Sequence, residues 1–147
     1  MDLNQICRTR WRIDFVDGPR NLEIEVNRKV ADLGVELQAA SFLIAMGDLL
    51  SRVSMGQLRR NRDVKMIKFV GGGELFELRF QCLTKQNQVI KLRLFCVLNF
   101  AACRISIIEI YAKFHEDSET SRANQNAALE LAWLRFKLGS DSEDRKL

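Results

Sequence analysis

Near the start of the chain, Trp11, Ile13 and Phe15 alternate with Arg12, Asp14 and Val16, the period of a strand with one buried face. The turn Asp17-Gly18-Pro19, which holds the single proline, closes that strand. From Leu22 to Leu58 the period lengthens to that of a helix. Apolar residues recur at Val26, Val30 and Leu33, then at Leu37, Ala40, Ile44 and Leu50, with Gly34 as the break, which predicts two consecutive helices in a hairpin. Residues 64–114 hold three β-rich runs, punctuated by Gly71-Gly72-Gly73, by Lys85-Gln86-Asn87-Gln88 and by Asn99 to Cys103. A final helix is expected from Ser118 to Leu138, with Ser118 or Thr120 as N-cap, Gly139 as C-cap and Ala127, Leu131, Leu134 and Leu138 on one stripe. The order β-α-α-β-β-β-α is that of an α+β domain over residues 1–139. It has an antiparallel sheet, a helical hairpin on one face and a C-terminal helix; residues 140–147 read as a short disordered tail.

The alternation within the sheet sorts the chemistry by face. Phe76, Leu78, Phe80 and Cys82 share one side, as do Ile90, Leu92, Leu94 and Cys96, and Ile108, Ile110, Ala112 and Phe114. The opposite side collects Glu77, Arg79, Lys91, Arg93, Glu109, Tyr111 and Lys113. One apolar face and one cationic face are therefore expected.

Composition changes this picture only modestly. A chain of 147 residues with 47% hydrophobic content builds one core, and a net charge of +4 permits a polyanionic partner without demanding one. The cysteines Cys7, Cys82, Cys96 and Cys103 form no CxxC pair, and His115 is the single histidine, so no zinc-ligand spacing is present. Reduced thiols, a cytoplasmic location and no secretion signal near Met1 are the expectation, since Asp2, Arg8, Arg10 and Arg12 interrupt any apolar run there. The longest apolar stretch, Ala39 to Leu50, falls short of the roughly 20 residues that span a bilayer, so no membrane partner is expected.

Several residues carry a resemblance. Val64-Lys65-Met66-Ile67-Lys68, a glycine turn and Leu75-Phe76-Glu77-Leu78-Arg79 resemble the "K-K-L, turn, L-Y/F-E-L-R" signature of the HigB-like, phage-derived branch of the RelE superfamily of type II toxins. Arg93-Leu94-Phe95 is similar to the second arginine strand of that branch. Ile108-Glu109-Ile110-Tyr111-Ala112-Lys113 resembles its last strand, with Phe114 where a second lysine is usual. The detailed likeness spans residues 60–138.

The resemblance implies a RelE/ParE-like fold and a ribosome-dependent messenger-RNA endoribonuclease that inhibits translation without metal or cofactor. A cognate antitoxin, expected to be a helix-turn-helix protein, would hold it in a hetero-oligomer. In such chemistry a ribose 2′-OH attacks the adjacent phosphodiester, which needs proton transfer and neutralisation of the extra phosphate charge. Arg79 and Arg93 suit the neutralisation, because guanidinium donates two hydrogen bonds to phosphate and keeps its charge. Tyr111 is the candidate for proton transfer, with Lys113 and Arg93 as the charges that would favour its phenolate. Lys65, Lys68, Lys91 and Arg62 would hold backbone phosphates or ribosomal RNA.

Plainer readings stand beside these. Arg79 and Arg93 could pair with Glu77 and Glu109 across strands, a solvated arrangement worth about 0.2–1 kcal/mol per pair. Tyr111 could be no more than a β-former on a half-covered surface, whereas in the functional reading it also stacks on a base. His115 reads as a solvated loop residue, Gly71-Gly72-Gly73 as a turn, and Cys82 and Cys96 as core thiols. The cluster Arg59-Arg60-Asn61-Arg62 reads as a solvated helix end. In function, a catalytically inactive binding module of the same fold and the gyrase-poisoning ParE-like branch are the alternatives.

Overall fold

A computed structural model describes residues 2–67, 75–113 and 118–145, with side chains of residues 118–121 and 139–145 set aside. The chain is α+β. In order, it forms α1 (Leu3–Arg8), β1 (Arg12–Phe15), α2 (Leu22–Ala31), α3 (Ala39–Met55), β2 (Val64–Ile67), β3 (Leu75–Leu83), β4 (Val89–Asn99), β5 (Arg104–Lys113) and α4 (Ser118–Arg145). The sheet order is β1-β5-β4-β3-β2.

Three parts of this order were not anticipated. Helix α1 is a six-residue element capped by Asp2, whose side chain accepts from the Asn4 N–H, and it buries Leu3, Ile6 and Cys7. A single turn and a half is too short for its period to stand out in the sequence. Strand β2 is a fourth strand between residues 64 and 113, pairing antiparallel with Leu75–Leu78. The sheet is mixed, not antiparallel, because β1 lies parallel to β5, Arg12 to Phe15 beside Arg104 to Ile107. A parallel pair is closed by the whole intervening chain, so no local turn announces it.

Trp11 locks the N-terminal layer together: its backbone N–H donates to Val53 at 3.1 Å and its Nε1 donates to the Ile6 carbonyl at 2.8 Å. Helix α3 ends at Gly56, which adopts φ 67° against α1; a Cβ there would lie 2.5 Å from the Arg8 carbonyl oxygen. Only glycine satisfies both the left-handed cap and that approach.

The hairpin α2–α3 covers one face of the sheet. Val26 and Val30 of α2 and Phe42, Leu49 and Val53 of α3 pack with Phe76, Leu78, Leu92, Leu94, Ile105, Ile107 and Ile110 in the main core. The helical phase of α3 differs from the sequence reading, since Ile44 is 74% exposed and Phe42 is buried. Strand β5 also differs. Phe95 pairs with Glu109 while Cys96 pairs with Ile107, so Ile108 is an extra residue in a bulge. Ile107 therefore takes the core position expected of Ile108, and Ile108 turns to the opposite face.

That opposite face is not bare. Leu75, Phe95, Leu129 and Trp133 form a second, smaller core, with Ile67, Val97, Ile108, Tyr111, Ala128 and Phe136 around it, so α4 lies across part of the face expected to be cationic and open to solvent. Phe95 and Val97 continue the Lys91–Arg93 alternation with apolar side chains, which gives α4 its seat. The stripe Leu131, Leu134 and Leu138 points outward instead. The helix also passes Leu138 and Gly139 and runs to Arg145, into the stretch expected to be a tail. Phe114 and His115 lie outside the described residues.

Candidate nucleic-acid interface

The strand registers arrange the second face in cross-strand rows. One row reads Lys65, Glu77, Phe95, Glu109; the next reads Arg79, Arg93, Tyr111; the third reads Gln81, Lys91, Lys113. Lys65, Arg79, Lys91, Arg93, Tyr111 and Lys113 are thus brought together on one side by pairing alone. Lys68 lies outside the described residues. Arg62 reaches the same region from the turn between α3 and β2.

Where β2 ends, β3 becomes an edge, and a cleft of about 480 Å³ opens beside it. Arg79, Gln81, Lys91 and Arg93 of the sheet, Asp48 of α3, and Arg59, Asn61, Arg62 and Asp63 of the connecting turn line it. The turn is held shut by Arg59, which grips Asp63 through Nε at 2.9 Å and Nη2 at 2.8 Å, while its own backbone N–H donates to the same carboxylate at 2.7 Å. Burial pushes the Asp63 carboxyl up, but hydrogen bonds from the Arg59 side chain and backbone outweigh it and hold the group below its ordinary value. The Asp63 carbonyl in turn accepts from the Arg79 N–H at 2.7 Å, tying this turn to β3.

A depressed acid is fully ionised, and fully stabilising, above its unfolded value near pH 3.9, and that contribution is lost as pH falls through the lower folded value. Urea midpoints of the wild type are therefore expected to fall more steeply below about pH 4 than those of Asp63→Asn. Parallel acid limbs in the two proteins would remove Asp63 as the clamp.

Glu77 organises the cations. It is 1% exposed, and its Oε1 accepts from Arg79 Nε at 2.6 Å and from Arg93 Nη1 at 2.7 Å. Its Oε2 accepts from Gln125 Nε2 of α4 at 3.3 Å. The pairing foreseen as a solvated one is an Arg-Glu-Arg triad whose carboxylate is buried and whose two arginines are half-buried. Arg79 and Arg93 face each other directly across β3 and β4, so without Glu77 two like charges would abut. The Nε of Arg93 is buried with no hydrogen-bond partner among the described residues, so the guanidinium keeps an unused donor.

Sequence alone gave Glu77 no more than a surface role, and it missed Gln125 and the Arg59–Asp63 clamp. The one signal available was an acid at the alternate position between Leu75 and Arg79, in phase with Arg79. Glu109 pairs elsewhere, with Lys29 of α2 at 3.1 Å and Arg135 of α4 at 3.9 Å.

Tyr111 is half-buried, its ring stacked on Phe95 at 6.3 Å between centroids and 18° between planes. It lies at the margin of the patch that α4 covers. Lys91 and Lys113 are half-buried and have partners of their own. Arg62 is exposed, and among the described residues it enters no ion pair, so its charge faces the solvent. The described residues hold no group of three or more His, Cys, Asp or Glu side chains placed for a metal ion. No described helix is long and apolar enough to cross a membrane.

The site can therefore do two things chemically. Arg62, Lys91 and the two triad arginines present guanidinium and ammonium donors along a cleft open to a phosphodiester. Tyr111 supplies a phenol directly opposite Arg93 across β4 and β5. Compared with known proteins, the chain matches no protein family, no curated protein and no solved structure.

Proposed function

We propose that this chain binds RNA along the β3 edge cleft as a RelE-type toxin, a ribosome-dependent, metal-independent messenger-RNA endoribonuclease restrained by a separately encoded antitoxin. The observation that carries the reading is the row Arg79, Arg93, Tyr111 set beside the row Gln81, Lys91, Lys113, whose β3 and β4 members line that cleft. The α+β architecture, with a helical hairpin ahead of a meander and a helix at its end, is compatible with the same reading. In it, Arg79 and Arg93 neutralise the phosphate, Tyr111 moves the proton beside Lys113, and Arg62, Lys65 and Lys91 hold the flanking backbone. Lys68 keeps its proposed place among the RNA contacts.

A specific observation favours a second reading, an RNA-binding module without catalysis: Tyr111 packs beneath α4 and both arginines already serve Glu77. Induced expression separates the readings. Growth arrest with cleavage of ribosome-bound message, abolished in Arg93→Gln, is the expected result. Arg62→Gln, at an exposed position, is expected to leave folding intact while weakening RNA binding and reducing the salt slope by about one unit. Toxicity unchanged in Arg93→Gln and accompanied by DNA damage signalling would point to the gyrase-poisoning branch. Absence of toxicity would leave the binding module.

A further inference from the structure

Helix α4 is apolar on two sides. Leu129, Ala132 and Trp133 are buried against the sheet, with Phe136 packed beside them. Leu131, Leu134 and Leu138 are 49%, 57% and 66% exposed, and with the exposed Ala127 they form a stripe on the opposite side of the helix. Their spacing of four, three and four residues is that of alternating a and d positions in a heptad. A surface helix needs one apolar stripe to dock on its own domain, and a second one stays in water unless something covers it.

The charges beside the stripe fit a second copy of the same helix. In a heptad frame with Leu131 and Leu138 at a and Leu134 at d, Glu130 occupies g and Arg135 occupies e. In a parallel two-fold pairing, the g residue of one helix meets the e residue five positions on in the other. Glu130 then faces Arg135 of the partner subunit, and symmetry makes the contact twice. Both are exposed; Arg135 is 66% exposed and only distantly engaged, 3.9 Å from Glu109. Lys137, at the next g position, lies over the Trp133 ring at 5.3 Å.

We infer that the outward face of α4 is a homodimer surface, in which the Ala127, Leu131, Leu134 and Leu138 stripes of two copies pack as a short parallel coiled coil with Glu130 against Arg135 of the partner subunit. The seam is about two heptads long, so the dimer is weak and forms in the micromolar range. No α4 residue lines the cleft beside β3, and the inference holds whether or not the chain acts on RNA.

Sedimentation equilibrium of the full chain, from low micromolar to near-millimolar protein, tests this. A monomer–dimer equilibrium is expected, with Leu134→Glu raising the dissociation constant by about a hundredfold because the new carboxylate enters the seam twice. Glu130→Arg is expected to weaken the dimer about tenfold, and the double variant Glu130→Arg, Arg135→Glu to restore it. Ile44→Glu, on the exposed face of α3, is the control that should change nothing. A monomer at every concentration, a dimer indifferent to Leu134→Glu, or a dimer broken by Ile44→Glu each overturns the inference.

Discussion

Replacing Glu77 with glutamine is expected to lower the unfolding free energy by about 3–5 kcal/mol, the range seen when one partner of a buried ion pair is removed. The carboxylate is enclosed by two guanidiniums and by Gln125, so the amide would leave Arg79 and Arg93 facing each other with no counter-charge. In a domain of this size the midpoint of thermal unfolding should fall by roughly 10 °C. Affinity for RNA moves the other way: at temperatures where Glu77→Gln stays folded, the released guanidiniums should bind phosphate more tightly and with a steeper salt slope. Concurrent replacement of Arg79, Glu77 and Arg93 by apolar residues of similar volume is expected to keep or raise stability, as buried ionic groups often behave. That variant should bind RNA more weakly and with a shallower salt slope, since two of its phosphate contacts are gone. Urea titration and a salt series on the two variants measure both effects, and a Glu77→Gln protein as stable as the wild type would show that the triad is not held by its carboxylate.

Trp133→Ala should have an effect of similar size but a different distribution. The side chain is 8% exposed in a cluster whose other buried members are Leu75, Phe95 and Leu129, separate from the main core. Truncating a buried tryptophan costs about 3–5 kcal/mol, more than so small a cluster can absorb. Helix α4 should therefore open locally while the sheet and α2–α3 stay folded. Hydrogen exchange is expected to show amides of α4 losing protection by a hundredfold or more, with those of β3, β4 and β5 nearly unchanged. Tyr111, freed of α4, then meets solvent, and RNA binding should strengthen. Uniform loss of protection through sheet and helix together would instead make α4 an inseparable part of one cooperative unit.

These two residues also mark where sequence reasoning stopped. The alternation of Leu75 to Leu83 and of Val89 to Asn99 was legible because the period of a strand depends only on its neighbours, and it placed Arg79, Lys91 and Arg93 on a common face. What lies over that face depends on a helix some thirty residues away. Helix α4 offers two apolar stripes of comparable length, and pattern alone favoured Leu131, Leu134 and Leu138, the one that faces water. The burial of Glu77 follows from where α4 lands, so an acid that reads as half of a surface pair becomes an interior counterion. Strand β1 was legible as a strand, but its parallel place beside β5 rests on a closure spanning nearly a hundred residues. The clamp of Arg59 on Asp63 was hidden inside what looked like a plain basic helix end.

The bulge at Ile108 sets how this protein tolerates changes in length. The first half of β5 is in phase with β1 and the main core, and the second half is in phase with the cationic rows, because one surplus residue separates them. Losing that single position would close the ladder into a regular one, Ile107 opposite Cys96 and Glu109 opposite Phe95, with Tyr111 and Lys113 still in the cationic rows. Nucleotide changes that swap side chains in this strand, or an in-frame codon deletion at Ile108, leave the layout standing, whereas one codon inserted between Glu109 and Ile110 turns Tyr111 and Lys113 toward α2 and α3.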